Sequence, residues 1–239
     1  MRADEVMAEL AAMADPERAA NLARFFKTGP GEYGEGDRFI GLRVPQQRAV
    51  AKRYRRLPLV EIDLLLQSPI HEHRLTGLVI LVEQYRRAKE STRRREIVTF
   101  YLAHLHRINN WDLVDLSAPK ILGLHLMEHR QEREMLFTLV TSDSLWERRV
   151  AVLATAPMIR QGEFQELLQL AETLLTDSHD LMHKAVGWML REMGKIALAP
   201  LVDYLEQRAA VMPRTMLRYA IEKMDAEQRR YFMTRKLNS

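Results

Sequence analysis

Apolar residues recur at intervals of three and four along almost the whole chain, the spacing that lines one face of an α-helix. The pattern predicts helices over VMAELAAMA, QRAVAKRYRRL, EIDLLLQ, RLTGLVILVEQYRRA, RREIVTFYLAHL, REMLFTLV, RRVAVLATAPMI, FQELLQLAETLL, LMHKAVGWMLREMGK and TMLRYAIEKM. No stretch reads as a strand. Breakers at Pro58, Ser68-Pro69, Asp143, Gly162, Asp177 and Pro213 are placed so that the helices pair through short turns.

The second helices of these pairs share a pattern. With HEHRLTGLVIL, WDLVDLSAPKIL, WERRVAVLATA, LMHKAVGWMLRE and TMLRYAIEKM in register, Arg74, Asp115, Arg149, Lys184 and Arg218 occupy one position, at steps of 41, 34, 35 and 34 residues. Such a period predicts an all-α chain, an α-solenoid of HEAT-like helical pairs forming one repeat domain over residues 1–239. Its inner helices would line a concave surface. Four of the five register residues are basic, so that surface should be basic and suit a polyanion. Asp115 interrupts the row.

Composition narrows the class. The 239 residues are 47% hydrophobic, enough for a substantial core, and contain no cysteine, which removes disulfides, thiol catalysis and thiolate metal sites. A net charge of +4 and a pI near 9.4 tilt toward acidic partners. No apolar run reaches the ~18 residues of a membrane span, and the first residues carry acids that a signal or transit peptide would lack. A cytoplasmic protein acting as a monomer is expected.

Candidate chemistry centres on NNWDLVD, residues 109–115. Asp112, directly after Trp111, is explained by the helix dipole, which favours an acid at a helix start. Asp115 lies a turn further in, on the face of Trp111. Lys184, Trp188 and Arg191 form a second stripe. Any one tryptophan could be core filling, but indoles beside charges can also stack on a base or sugar and stabilise a cation. Five of the ten glycines fall within TGPGEYGEGDRFIG, residues 28–41; no nucleotide-binding fingerprint accompanies them, so a mobile loop is expected. After it, Pro45 suits a first helical turn whose amides could meet a phosphate, giving Arg43, Val44 and Pro45 as candidate backbone contacts. HLMEH, His125 to His129, fits a short zinc-peptidase pattern, but no acidic third ligand is evident downstream and no metal is expected. His71/His73 and His104/His106, each two apart, read as surface residues.

The segments FFKTGPGEYGEGDRFIGLRVPQQR (25–48), NNWDLVD (109–115), LWERRVAVL (145–153) and HKAVGWMLRE (183–192) resemble the AlkD-like family of HEAT-repeat alkylpurine DNA glycosylases, over roughly residues 5 to 225. The resemblance implies that Trp111, Asp115, Arg149 and Trp188 frame a lesion held in the duplex. It departs in two places: Asn110-Trp111 stands where members often carry two tryptophans, and the glycine-rich insertion is not general. The expected function is hydrolysis of the N-glycosidic bond of N3- or N7-alkylated purines in double-stranded DNA, monofunctional and without cofactor. Asp115, Trp111 and Trp188 would be catalytic; Arg149, Lys184, Arg191 and Arg218 would join Arg43, Val44 and Pro45 on the DNA backbone. The competing readings are a non-catalytic DNA-binding repeat protein and a protein-interaction scaffold.

Overall fold

The computed structural model describes residues 1–235. Every regular element among them is helical, and the chain forms two compact units, Met1–Ile121 and the residues from Leu122 onward. The first contains α1 (Ala3–Ala11), α2 (Pro16–Phe25), α3 (Val44–Arg53), α4 (Leu59–Leu66), α5 (His71–Arg87), α6 (Ser91–Ala103) and α7 (Trp111–Ser117). The second contains α8 (Leu124–Glu128), α9 (Met135–Val140), α10 (Leu145–Ala154), α11 (Ala156–Arg160), α12 (Gln165–Thr173), α13 (Asp180–Ile196), α14 (Leu198–Arg208), α15 (Arg214–Ala220) and α16 (Ala226–Thr234).

Helix limits follow local chemistry. Asp15 caps α2 by accepting from the Arg18 amide at 3.0 Å, with Pro16 in the first turn, where its missing N–H costs nothing. Asp225 caps α16 in the same way through the Gln228 amide at 2.8 Å. All six sequence breakers fall between helices or at their caps; Gly162 ends α11 with φ +77°, a conformation open to glycine at no steric cost.

Within the first unit α5 is central, packing on α3, α4 and α7. Ile62, Leu65 and Leu66 of α4 and Leu78, Ile80 and Leu81 of α5 are fully buried, each contributing about 1.5–3 kcal/mol by removal from water. In the second unit α13 takes that place against α10, α11, α14 and α15.

Counting from the helix caps corrects the register. The caps of α5, α7, α10, α13 and α15 are Ile70, Asn110, Ser144, His179 and Pro213. Asp115, Arg149, Lys184 and Arg218 are therefore equivalent, five residues past the cap, but the residue equivalent to them in α5 is Leu75. Arg74 shares its position with Val114, Arg148, His183 and Leu217, which faces the interior. Arg74 is accordingly 4% exposed. It donates to the Ser68 carbonyl at 3.0 Å; Arg148 donates to that of Ser142 at 2.9 Å, and His183 bonds that of Asp177 at 2.5 Å. Each side chain thus closes the turn that begins six residues before it.

Candidate functional site

In the first unit the site is built at the start of α7. Asn110, fully buried, accepts from the Trp111 amide at 2.9 Å and donates to Asp37 Oδ2 at 3.0 Å. The residue that replaces the second tryptophan of the resembled family is thus a cap and a tether. Asp37 also accepts from Arg74 at 2.5 Å and bonds His71 Nδ1 at 3.0 Å. On the other side of the ring, His71 Nε2 lies 2.8 Å from Asp112 Oδ2. Burial opposes the charged imidazole, but the charge and hydrogen bond of Asp112, with those of Asp37, overcome it and push the His71 pKa up to about 9. Burial opposes the Asp37 carboxylate as well; bonds from His71 and Asn110 and the Arg74 charge outweigh it and hold that group below the usual carboxylate range.

This clamp corrects two expectations. Asp112 does more than complement a helix dipole, and His71 and His73 are core residues, 2% and 5% exposed. His71 is buried because it is paired on both edges and covered by stacked Phe39, 4.6 Å between centroids. His104 is partly buried, bonded to Asp63 at 2.9 Å; His106 is exposed.

The glycine-rich segment is fastened rather than loose. Buried Glu72 accepts the consecutive amides of Ile40, Gly41 and Leu42, the Gly41 bond being 2.8 Å, and the Asp15 amide bonds the Ile40 carbonyl at 2.8 Å. Gly41 is required there: at φ +90° a Cβ would run into the Asp15 carbonyl oxygen.

Above the clamp lies an aromatic wall. Phe26 stacks on Trp111 with centroids 5.1 Å apart and planes at 17°, while Phe25, 64% exposed, meets the Trp111 edge at 6.0 Å. Sequence reasoning did not single out Phe25, although two adjacent phenylalanines at a helix end leave one with no inward face. Asp115 is half-buried, one turn beyond half-buried Trp111. Beneath it, Tyr101 bonds the Ser117 hydroxyl at 3.0 Å; burial first, then the Asp115 charge, raises the phenol pKa, which the Ser117 bond opposes.

A second missed feature borders α7: a cleft of about 350 Å³ lined by Arg48, Lys52, Arg86, Arg87 and Lys120 around Glu83, with Leu116 and Val82 among its apolar walls. These cations come from α3, α5 and the turn after α7, so their convergence has no sequence period. At the head of α3, Arg43, Val44 and Pro45 are exposed, but the amides expected there are partly committed: that of Arg43 to the Gln46 side chain at 2.8 Å, those of Gln46 and Gln47 to the Arg43 carbonyl. The Arg43 guanidinium and the Val44 amide are what this corner can offer an anion.

In the second unit, Arg149 is 5% exposed and donates to the Leu181 carbonyl at 2.8 Å, which takes most of its guanidinium out of solvent reach. Lys184 pairs with Asp180 at 2.7 Å and Arg191 with Glu222, so both cations expected to bind phosphate already have acidic partners. Arg218 is exposed, with Thr215 Oγ1 3.3 Å away. Half-buried Trp188 donates to Glu192 at 3.1 Å. Arg148 is held by Asp177 at 2.8 Å. The acidic third partner for HLMEH that the sequence did not disclose is Glu132.

No helix among the described residues is long and apolar enough to cross a membrane. A structure described as a predicted DNA alkylation repair enzyme from Enterococcus faecalis is similar at 20% identity and TM-score 0.73, covering 89% of this chain and 97% of the other. AlkD2 from Streptococcus mutans is similar at 16% identity and TM-score 0.55, covering 88% and 99%. Both likenesses concern the fold. No curated protein matches the sequence. The family described as DNA alkylation repair enzyme matches residues 6–224, nearly the full length, and the chain therefore belongs to that family.

Proposed function

We propose that the protein is a monofunctional glycosylase that hydrolyses the N-glycosidic bond of N3- or N7-alkylated purines in duplex DNA. Alkylation gives the purine a positive charge and makes it a good leaving group, and the sugar gains oxocarbenium character as the bond breaks. An ionised carboxylate near C1′ stabilises that sugar and orients water. Asp115 is assigned this role. The observation that carries the reading is half-buried Asp115, one turn beyond half-buried Trp111, whose ring meets exposed Phe25.

Trp111 supplies an aromatic face for the lesion nucleotide, worth about 1–3 kcal/mol if a base stacks on it, and Trp188 keeps the stacking role that the family resemblance implies for it. Backbone contacts are assigned to Arg43, Val44 and Pro45, to Lys184, Arg191 and Arg218, and to the Arg48 and Lys52 side of the cleft. Lys184 would exchange the exposed Asp180 carboxylate for a phosphate, which costs little; Arg191, whose side chain is 18% exposed, would have to leave Glu222 to do the same. Arg149 is mostly buried and joins α10 to the Leu181 carbonyl of α13; from there it is assigned to hold a phosphate beside the lesion.

The test is release of 7-methylguanine and 3-methyladenine from methylated duplex DNA by the wild type and Asp115→Asn, with DNA affinity measured alongside. The substitution should lower the single-turnover rate by about 100-fold or more while affinity stays within a few-fold. Full activity in Asp115→Asn would remove the catalytic assignment. Binding without release in the wild type would instead support a non-catalytic DNA-binding protein.

A further inference from the structure

We propose that His125, His129 and Glu132 form a binding site for one divalent ion of the Zn²⁺ type. The site lies wholly within the second unit and is independent of the glycosylase reading. Histidines four apart on α8 and its cap share a face, and their rings stack with centroids 4.1 Å apart. The chain then doubles back through a single turn, Arg130–Glu132, which returns the Glu132 carboxylate to within 2.8 Å of His125 Nε2. One donor atom from each of the three residues lies within 4.8 Å of the others.

The surroundings suit a metal ligand set. His129 Nδ1 bonds the His125 carbonyl at 3.0 Å, which places the proton on Nδ1 and directs the Nε2 lone pair outward. A backbone bond of this kind orients many metal-bound histidines. His125 is 1% exposed and its Nδ1 has no hydrogen-bond partner, so without the ion Nε2–H donates to Glu132; binding through Nε2 displaces that proton, to Nδ1 or to solvent, and frees the lone pair. The backbone is braced: Arg133 donates to the Leu126 carbonyl at 3.1 Å and pairs with Glu163 and Glu166, which offsets the cation next to the site.

Two imidazoles and one carboxylate, with no sulfur, match the nitrogen and oxygen donors that bind Zn²⁺ at about 2.0–2.2 Å and leave a fourth position for water. Mg²⁺ and Ca²⁺ prefer sets richer in oxygen. Tetrahedral bonds of that length place donors about 3.3 Å apart, so His129 and Glu132, both only partly buried, must close inward by side-chain rotation. The ion would tie α8 to the turn that follows it. Glu128, the acid inside HLMEH, is not needed as a ligand.

The experiment is calorimetric titration of Zn²⁺ into tag-free, chelator-treated full-length protein, with native mass spectrometry for stoichiometry and thermal unfolding as a second readout. One ion per chain and a raised unfolding midpoint are expected, with no response to Mg²⁺. His125 is too buried to replace safely, so the variants are His129→Gln and Glu132→Gln, their folds checked by circular dichroism. Each should weaken Zn²⁺ by more than about tenfold, and the double variant should abolish the single site. Absence of saturable binding at tens of micromolar Zn²⁺, or equal binding by the folded double variant, would overturn the site.

Discussion

At the scale of single residues, the side chain on which most depends is His71. It lies between two carboxylates at 3.0 and 2.8 Å, and Arg74 stands 2.5 Å from the first of them, so charges alternate through a buried row. Replacing His71 by Gln leaves buried Asp37 and half-buried Asp112 facing each other across a neutral amide; breaking a fully buried pair costs about 3–5 kcal/mol, and the partial exposure of Asp112 lowers that. The pH dependence has a definite sign. A folded pKa of about 9 lies above the ordinary imidazole value of 6.5, so the stabilisation is complete below about pH 6.5 and is lost as pH rises through about 9. Urea midpoints measured from pH 6 to 9.5 should fall in the wild type across that window and stay nearly flat in His71→Gln; parallel curves would sink the assignment. This clamp was illegible in the sequence because its bonds join residues 34 and 41 positions apart. The helix-dipole explanation of Asp112, correct as far as it went, removed the one local reason to look for a partner.

At the scale of elements the sequence was informative where the physics is local. Helix periodicity, the six breakers and Pro45 in the first turn of α3 each depend on a few neighbouring residues, and all appear where the pattern puts them. The repeat register was right for Asp115, Arg149, Lys184 and Arg218 and one residue out for Arg74, because two arginines at 148 and 149 offered two alignments and only the caps decide between them. Pointing direction was therefore the weak part: of the four basic positions in that register, Arg74 and Arg149 are buried. One close helix crossing was also hidden. Gly187 of α13 meets α15 so closely that a Cβ would run into the Met216 carbonyl oxygen and the Tyr219 Cβ. Ala normally gains about 1 kcal/mol over Gly inside a helix. Here the obstacle is backbone, which cannot rotate aside, and overpacking of this kind costs about 1–3 kcal/mol. Gly187→Ala should therefore lower the thermal midpoint despite its better propensity, whereas an equal or higher midpoint would show that α13 and α15 can separate freely.

For the whole molecule, the net charge of +4 understates how cations are distributed. Five line the cleft beside α7 around a single acid, Glu83, which pairs with Arg86 and Arg87, while Lys184 and Arg191 have acidic partners of their own. If Arg43, Arg48, Lys52, Lys184 and Arg218 each neutralise one phosphate, log affinity for duplex DNA should fall with log salt at a slope of about −4.5, since each contact contributes about 0.9. Between 50 and 200 mM salt that slope predicts a loss of about 500-fold. A protein-interaction scaffold would show no such dependence on DNA. The cleft's own share follows from Arg48→Ala with Lys52→Ala: two contacts fewer should shift the slope by about +1.8 and weaken binding alike on undamaged and methylated duplexes, because phosphates carry no lesion information. Excision from saturating DNA should be nearly unchanged, since Asp115 and Trp111 are untouched. A double variant that keeps the wild-type slope would move the DNA path off this cleft, and one that loses excision at saturation would tie the cleft to chemistry rather than to affinity.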